Sequence, residues 1–292
     1  MQEKCEFMRL FSKTSQLTGR HLALLAPEKC YVPNAFRHAE VDYDQHEELL
    51  TEMQRFRGAI YLKDGAVESW QLTEDGRHRT DEDSDSWHLL SLAEDGRIVG
   101  CSRYLHFENS ASFEQIGLQN SALAQNDEWG QKLKSGVLSE LESARRKDLA
   151  YVKVGGWAIS ESLRNTTDGL SIALATWGLA QLLGGCLGIA TVTKRHSSSS
   201  ILRKLGGKSL EVDGVELPAY YDPEYQCEME ILRFDSRVPN PRYQSWVDRI
   251  RTNMLSVPVI CGNAETDRWS DFSETIAIAN RHNYSLQEQA LA

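Results

Sequence analysis

The chain has 292 residues, 41% apolar and 25% charged, which suits one large globular domain with additions or two small ones. Its formal net charge of −10 repels phosphate backbones and anionic lipid, so it excludes nucleic acid as a general partner. Six scattered cysteines (Cys5, Cys30, Cys101, Cys186, Cys227, Cys261) have neither metal-ligand nor redox spacing, and predict reduced thiols in a cytoplasmic protein that holds no metal.

In chain order, residues 1–41 read as an irregular extension with short apolar pieces at His21–Leu25 and Tyr31–Val32 and room for one strand. Asp44–Arg57 repeats Leu49, Leu50, Met53 and Phe56 at helical spacing, with Asp42 or Asp44 as cap. Thr73–Ser86 is polar and acidic and predicts an exposed loop. Trp87–Ala93, the turn Glu94-Asp95-Gly96 and Arg97–Phe107 spell a β-hairpin. Glu128–Lys147 predicts a helix, with Trp129, Leu133, Val137, Leu138 and Leu141 as its apolar face. Tyr151–Ser160 predicts a strand whose two interior glycines mark a bulge or a close backbone approach.

Residues Gly169–Thr193 carry no charge. Gly184, Gly185 and Gly188 interrupt them, so they read as a buried helix followed by a buried strand rather than a membrane span. Ser197–Leu205 is a short helix stopped by Gly206-Gly207, and Lys208–Val212, Pro218–Tyr221 and Cys227–Phe234 are closing strands. Arg242–Met254 predicts a last helix within a helical appendix, residues 241–292. Arg203, Lys204 and Lys208 form a local basic patch close to Arg195 and His196.

The unit that carries chemistry is strand, polar loop, helix, strand, helix, from 151 to 207. The loop Arg164-Asn165-Thr166-Thr167-Asp168-Gly169 lies directly before the buried helix. A helix N-terminus offers unpaired N–H groups and a positive dipole end, a ready phosphate site. Gly169 lets the backbone approach a pyrophosphate, and Arg164 adds charge.

This loop and its flanks resemble the GNAT acyltransferases. Arg164 and Gly169 match the first and last positions of the family's pyrophosphate loop, and Thr167 stands where its first glycine would. Ile201-Leu202-Arg203-Lys204-Leu205-Gly206-Gly207 fills the slot of the family's last short helix, with Leu202 where many members carry a tyrosine acid. The likeness covers roughly residues 42–234, within a domain read as 42–240. It implies an α/β (α+β) fold, a mixed central sheet flanked by helices and splayed between its two central parallel strands.

By resemblance the donor is an acyl thioester, acyl-CoA or acyl carrier protein, and the acceptor an amine of an amino acid or peptide. Ala158, Ile159 and Ser160 would pair with pantetheine. Arg164, Asn165, Thr166, Thr167, Asp168, Gly169 and Leu170 would hold the pyrophosphate, with His196 near the arm. Glu161, His88 and His196 are the candidate bases, Arg103 a candidate acceptor site and Trp157 a candidate substrate wall.

The Gly100–Tyr104 segment and the helical insert at 108–150 are similar to the branch of acyl-homoserine lactone synthases and long-chain N-acyl amino acid synthases. That branch carries Glu and Arg where this chain has Lys153 and Gly156, so the resemblance turns away from lactone synthesis and leaves the acceptor open. A short-chain acetyltransferase and an inactive GNAT-shaped binding module are the competing readings.

Overall fold

The computed structural model describes residues 21–28, 32–108, 110–164, 166–195 and 198–262. A ten-stranded mixed sheet runs through the molecule in the order β10-β11-β6-β5-β4-β3-β1-β12-β2, with β7 also pairing to β11. Its strands are β1 (His21–Leu25), β2 (Ala39–Val41), β3 (Ser86–Leu92), β4 (Ile98–Phe107), β5 (Ala150–Ile159), β6 (Cys186–Thr193), β7 (Lys208–Ser209), β10 (Tyr220–Asp222), β11 (Cys227–Asp235) and β12 (Val259–Cys261). A separate two-stranded ribbon pairs β8 (Glu211–Val212) with β9 (Val215–Glu216).

Helices cover both faces. On one face lie α1 (Tyr43–Lys63), the short α2 (Phe113–Ile116) and α3 (Gly130–Arg146). On the other lie α4 (Asp168–Leu182), α5 (Ser198–Leu205) and α6 (Gln244–Met254). The α4 sequence is apolar nearly all round because it is sandwiched: Leu174, Ala175 and Leu179 are fully buried between the sheet and α6. Gly178 permits that second contact, since a Cβ there would sit 3.3 Å from the Arg251 backbone.

α1 begins at an Asp42 cap, whose carboxylate accepts from the Gln45 amide at 2.9 Å, and runs past Gly58 to Lys63. Leu138, read into the apolar face of α3, instead points to solvent at 44% exposure.

Three expectations about the periphery need correcting. The extension and the appendix are stitched into the sheet: β1 pairs antiparallel with β3, and β12 lies parallel between β1 and β2. Val259 and Ile260 are fully buried, so residues 241–262 contribute to the main core rather than trailing from it. The acidic loop 73–86 is not simply exposed either. Asp83 is 4% exposed, because it receives a two-pronged hydrogen bond from the buried Arg57 guanidinium at 3.0 and 2.7 Å.

No helix among the described residues is long and apolar enough to cross a membrane. Residues 169–193 form α4 and β6, as their glycine breaks foretell.

Candidate active site

The central parallel strands part company. β5 and β6 are paired from Ala150 opposite Cys186 only as far as Val154 opposite Ala190. Both strands then continue, β5 to Ile159 and β6 to Thr193, with no rung between them. β5 is drawn aside by a bulge. Its register with β4 shifts between Cys101 opposite Ala158 and Arg103 opposite Gly155, so two residues, Gly156 and Trp157, face one. Gly156 takes φ +59°, and a Cβ there would also press on Arg103, which is why a glycine stands at this point of the strand. The wedge opens into a cavity of about 1020 Å³ that passes through the sheet from the α4 face to the α1 face.

On the α4 face the mouth is lined by Ile159, Arg164, Thr166, Gly169, Arg195 and Ile201. Gly169 is buried in the first turn of α4 under Ile159. Thr167 has φ −77° and ψ −7°, an ordinary right-handed conformation, so this loop places no demand for glycine there. Thr166 Oγ1 accepts from the Asp168 amide at 3.1 Å, and Asp168 adds a carboxylate to the helix start. Arg164 donates to the Asp64 carboxylate at 2.7 Å, and Arg195 donates to the Asp64 carbonyl and to that of Gln226 at 2.9 Å. Two guanidinium groups thus converge on Asp64 at the mouth.

Each strand residue presents its N–H and C=O to one side in alternation. The Ser160 amide donates to the Val99 carbonyl at 2.9 Å, so it is turned toward β4 and is not open to a ligand in the wedge. By that alternation Ala158 also faces β4, whereas Ile159, beyond the bulge, directs its backbone toward the gap. Of the three residues expected to pair with pantetheine, only Ile159 has its amide on the right side. The Trp157 carbonyl receives the Tyr61 hydroxyl at 3.3 Å, and the indole lies beside Gly169 at the mouth. Leu170 is half-buried next in α4. Asn165 and His196 lie outside the described residues.

The α1 face of the cavity is charged. A chain of ion pairs runs Arg57–Asp83–Arg103–Glu82–Lys153: Arg103 sits 3.5 Å from Asp83 and bonds Glu82, and Lys153 reaches Glu82 at 2.6 Å. Three cations share two carboxylates in this chain, and Asp222 and Glu224 line the same end, so the wall carries no excess of positive charge. Although burial opposes it, the Arg57 hydrogen bonds hold the Asp83 carboxyl well below the usual carboxylate range. Thr80, Tyr220, Asp222 and Tyr225 complete this end. Arg103 therefore does line the cavity, as expected, but Glu82 and Lys153 stand beside it, and only the folded chain brings them together.

Two of the three candidate bases, Glu161 and His88, do not line the cavity. Glu161, in the turn after β5, is about half exposed and pairs with Lys63 at 2.5 Å. His88 is 1% exposed behind Arg103, with Nε2 2.8 Å from the Asp83 carbonyl, and burial lowers its pKa to about 4. The lowered pKa keeps it neutral, but it has no route to a substrate. Among the described residues, no group of His, Cys, Asp and Glu side chains gathers as a metal site.

A mixed sheet flanked by helices and wedged open between two parallel strands, with a helix N-terminus at the mouth, is a GNAT-like fold. No family model and no curated protein sequence matches the chain. Solved structures do. A CoA-dependent acyl-homoserine lactone synthase, BjaI, determined with SAM and isopentyl-CoA, superposes with a TM-score of 0.51 at 14% identity, over 90% of this chain and 99% of that one. The same synthase with MTA gives 0.50 over the same spans. FeeM, an N-acyl amino acid synthase from uncultured soil microbes, matches at 0.42 and 9% identity over 75% of this chain and 92% of its own, too low to bear on function. At these identities the likeness establishes the fold.

Proposed function

We propose that this chain is an N-acyltransferase that moves an acyl group from a thioester, on CoA or on an acyl carrier protein, to the amine of an amino acid or peptide. The observation that carries this reading is the unpaired stretch of β5 and β6 beyond Val154 and Ala190. It leaves strand backbone free to hold an extended, amide-bearing arm. The pyrophosphate end would rest on the first turn of α4, near Arg164 and Arg195. The Ile159 amide, turned into the gap, suits either an arm carbonyl or the oxyanion.

The amine nitrogen attacks the thioester carbonyl and the C–S bond breaks. The amine's proton passes through water to a carboxylate at the α1 end, where Glu82 and Asp222 lie, and returns from it to the departing thiolate, which leaves as the thiol. The guanidinium of Arg103 and the ammonium of Lys153 offer charged donors to a carboxylate, which suits an acceptor that also bears one, a free amino acid over an internal peptide amine. Among the described residues Cys101, Cys186 and Cys261 are buried free thiols, which suits a reducing, cytoplasmic setting.

The test is thiol release from acyl-CoA and from acyl carrier protein in the presence of a mixture of amino acids, with products read by mass spectrometry. An N-acyl amino acid appearing with stoichiometric thiol supports the reading. Absence of both binding and thiol release with either donor would refute it.

A further inference from the structure

The cavity has an arm that the arm-binding wedge does not need. Below the point where β5 and β6 rejoin, it continues between the sheet and α4, lined by Ala173, Thr176, Ala180 and Ala190. Ala180 is 1% and Ala190 2% exposed, so this space lies in the molecule's interior rather than at a surface dent. It exists because the facing positions are small: alanines on the helix meet an alanine on β6. The only hydroxyls there satisfy each other, with Ser102 Oγ 2.7 Å from Thr176 Oγ1 and Thr176 bonded to the Ile172 carbonyl at 2.9 Å. A dry, apolar, narrow space of this kind offers nothing to a polar ligand and much to a hydrocarbon chain.

Its end is closed by Trp177 and Phe234. The two rings lie 5.2 Å apart at 43°. Trp177 is anchored by its indole N–H donating to the Ser236 carbonyl at 2.9 Å. The Phe234 ring lies flush on Gly188, where any side chain would collide with it. The indole hydrogen bond and the close seat on Gly188 fix where this wall stands.

We infer that Trp177 and Phe234 set the acyl-chain length this protein accepts, and that the acyl group is a straight, medium-length hydrocarbon. This rests on the donor reading proposed above. From Ile172 to Ala180 the space follows α4 for about 12 Å at 1.5 Å per residue. A zigzag of C–C bonds of about 1.5 Å advances roughly 1.3 Å per carbon, so about eight to ten carbons fit. An acetyl group would leave most of the space empty, and a palmitoyl chain would strike the rings.

The experiment measures binding of straight-chain thioesters from acetyl to palmitoyl, on CoA and on a purified acyl carrier protein, to the full chain and two variants. For the wild type, affinity rises about three- to fourfold per added CH2 up to the limit and falls beyond it. Phe234→Ala lengthens the preferred chain, with dodecanoyl gaining about tenfold or more relative to octanoyl. Ala180→Leu fills the far end of the space, shifts the preference toward shorter chains by a similar factor and leaves acetyl affinity unchanged. If Phe234→Ala does not fold, Ala180→Leu alone decides.

A length profile that stays as in the wild type, with binding retained, overturns the chain-length assignment but not the donor reading. No binding of any thioester by the wild type, on either carrier, overturns both.

Discussion

Gly169→Val tests the donor mouth most directly. Gly169 is the second residue of α4, in an ordinary helical conformation, and a Cβ there would meet only side-chain ends: Ile159 Cδ1 at 3.2 Å, Ile201 Cδ1 at 3.8 Å and Trp157 Cζ2 at 3.9 Å. These yield by a few tenths of an ångström, and valine is the better helix former by about 0.3–0.5 kcal/mol. Folding stability should therefore change by less than about 1 kcal/mol, with the melting temperature within about 3 °C. Binding is different. The new methyl groups cover the first-turn amides, and each charge-assisted hydrogen bond to a phosphate is worth about 1.5–3 kcal/mol. Losing one weakens acyl-CoA by about ten- to a hundredfold. Isothermal titration with octanoyl-CoA, beside a thermal melt of the free protein, separates the two effects. A dissociation constant within about twofold of wild type, with the melt unchanged, would refute the assignment of the α4 N-terminus to the pyrophosphate.

Three further outcomes follow from the same geometry. Glu161→Gln should leave turnover at saturating donor within about threefold of wild type at every pH, since Glu161 faces solvent beside Lys63; a lost acidic limb in the pH–rate profile would return it to the mechanism. Lys153→Ala should raise KM for a carboxylate-bearing acceptor about tenfold or more with little change in acyl-CoA affinity, and an equal loss for an uncharged amine would argue against charge recognition. Acid sensitivity is the third. Burial lowers His78, His88 and His106 to about 4, below the unfolded value near 6.5. Their contribution is full above pH 6.5 and is lost as pH falls toward 4, because the unfolded chain takes up protons first. Denaturant midpoints should drop steeply across that window, and His88→Gln should flatten the drop.

How much was legible beforehand depends on range. The segment 151–207 is local, and its pattern survives folding: an uncharged helix, a strand of Val, Ile and Thr, glycines at the bulge and at the ends. Its elements match the structure within one or two residues, and the cleft they imply is present. Thr167, a departure from the family loop, turns out to need no glycine because its φ is negative.

The site's other half had no local signal. Arg57, Glu82, Arg103 and Lys153 come from a helix, a loop and two strands. Nothing in the polar run 73–86 announces that Asp83 will be buried, because that burial is affordable only once Arg57 arrives to neutralise it. Glu161 and His88, read as candidate bases, lie outside the cavity for the complementary reason: a place in the sequence does not say how deeply a residue is buried or which side of the sheet it faces. Sequence periodicity by itself determined which segments are helix or strand and which glycines punctuate them, since these are properties of a few adjacent residues. Only tertiary structure decided where β5 and β6 separate, which charges meet across the gap and how deep the space under α4 runs, because each depends on side chains brought together from distant parts of the chain.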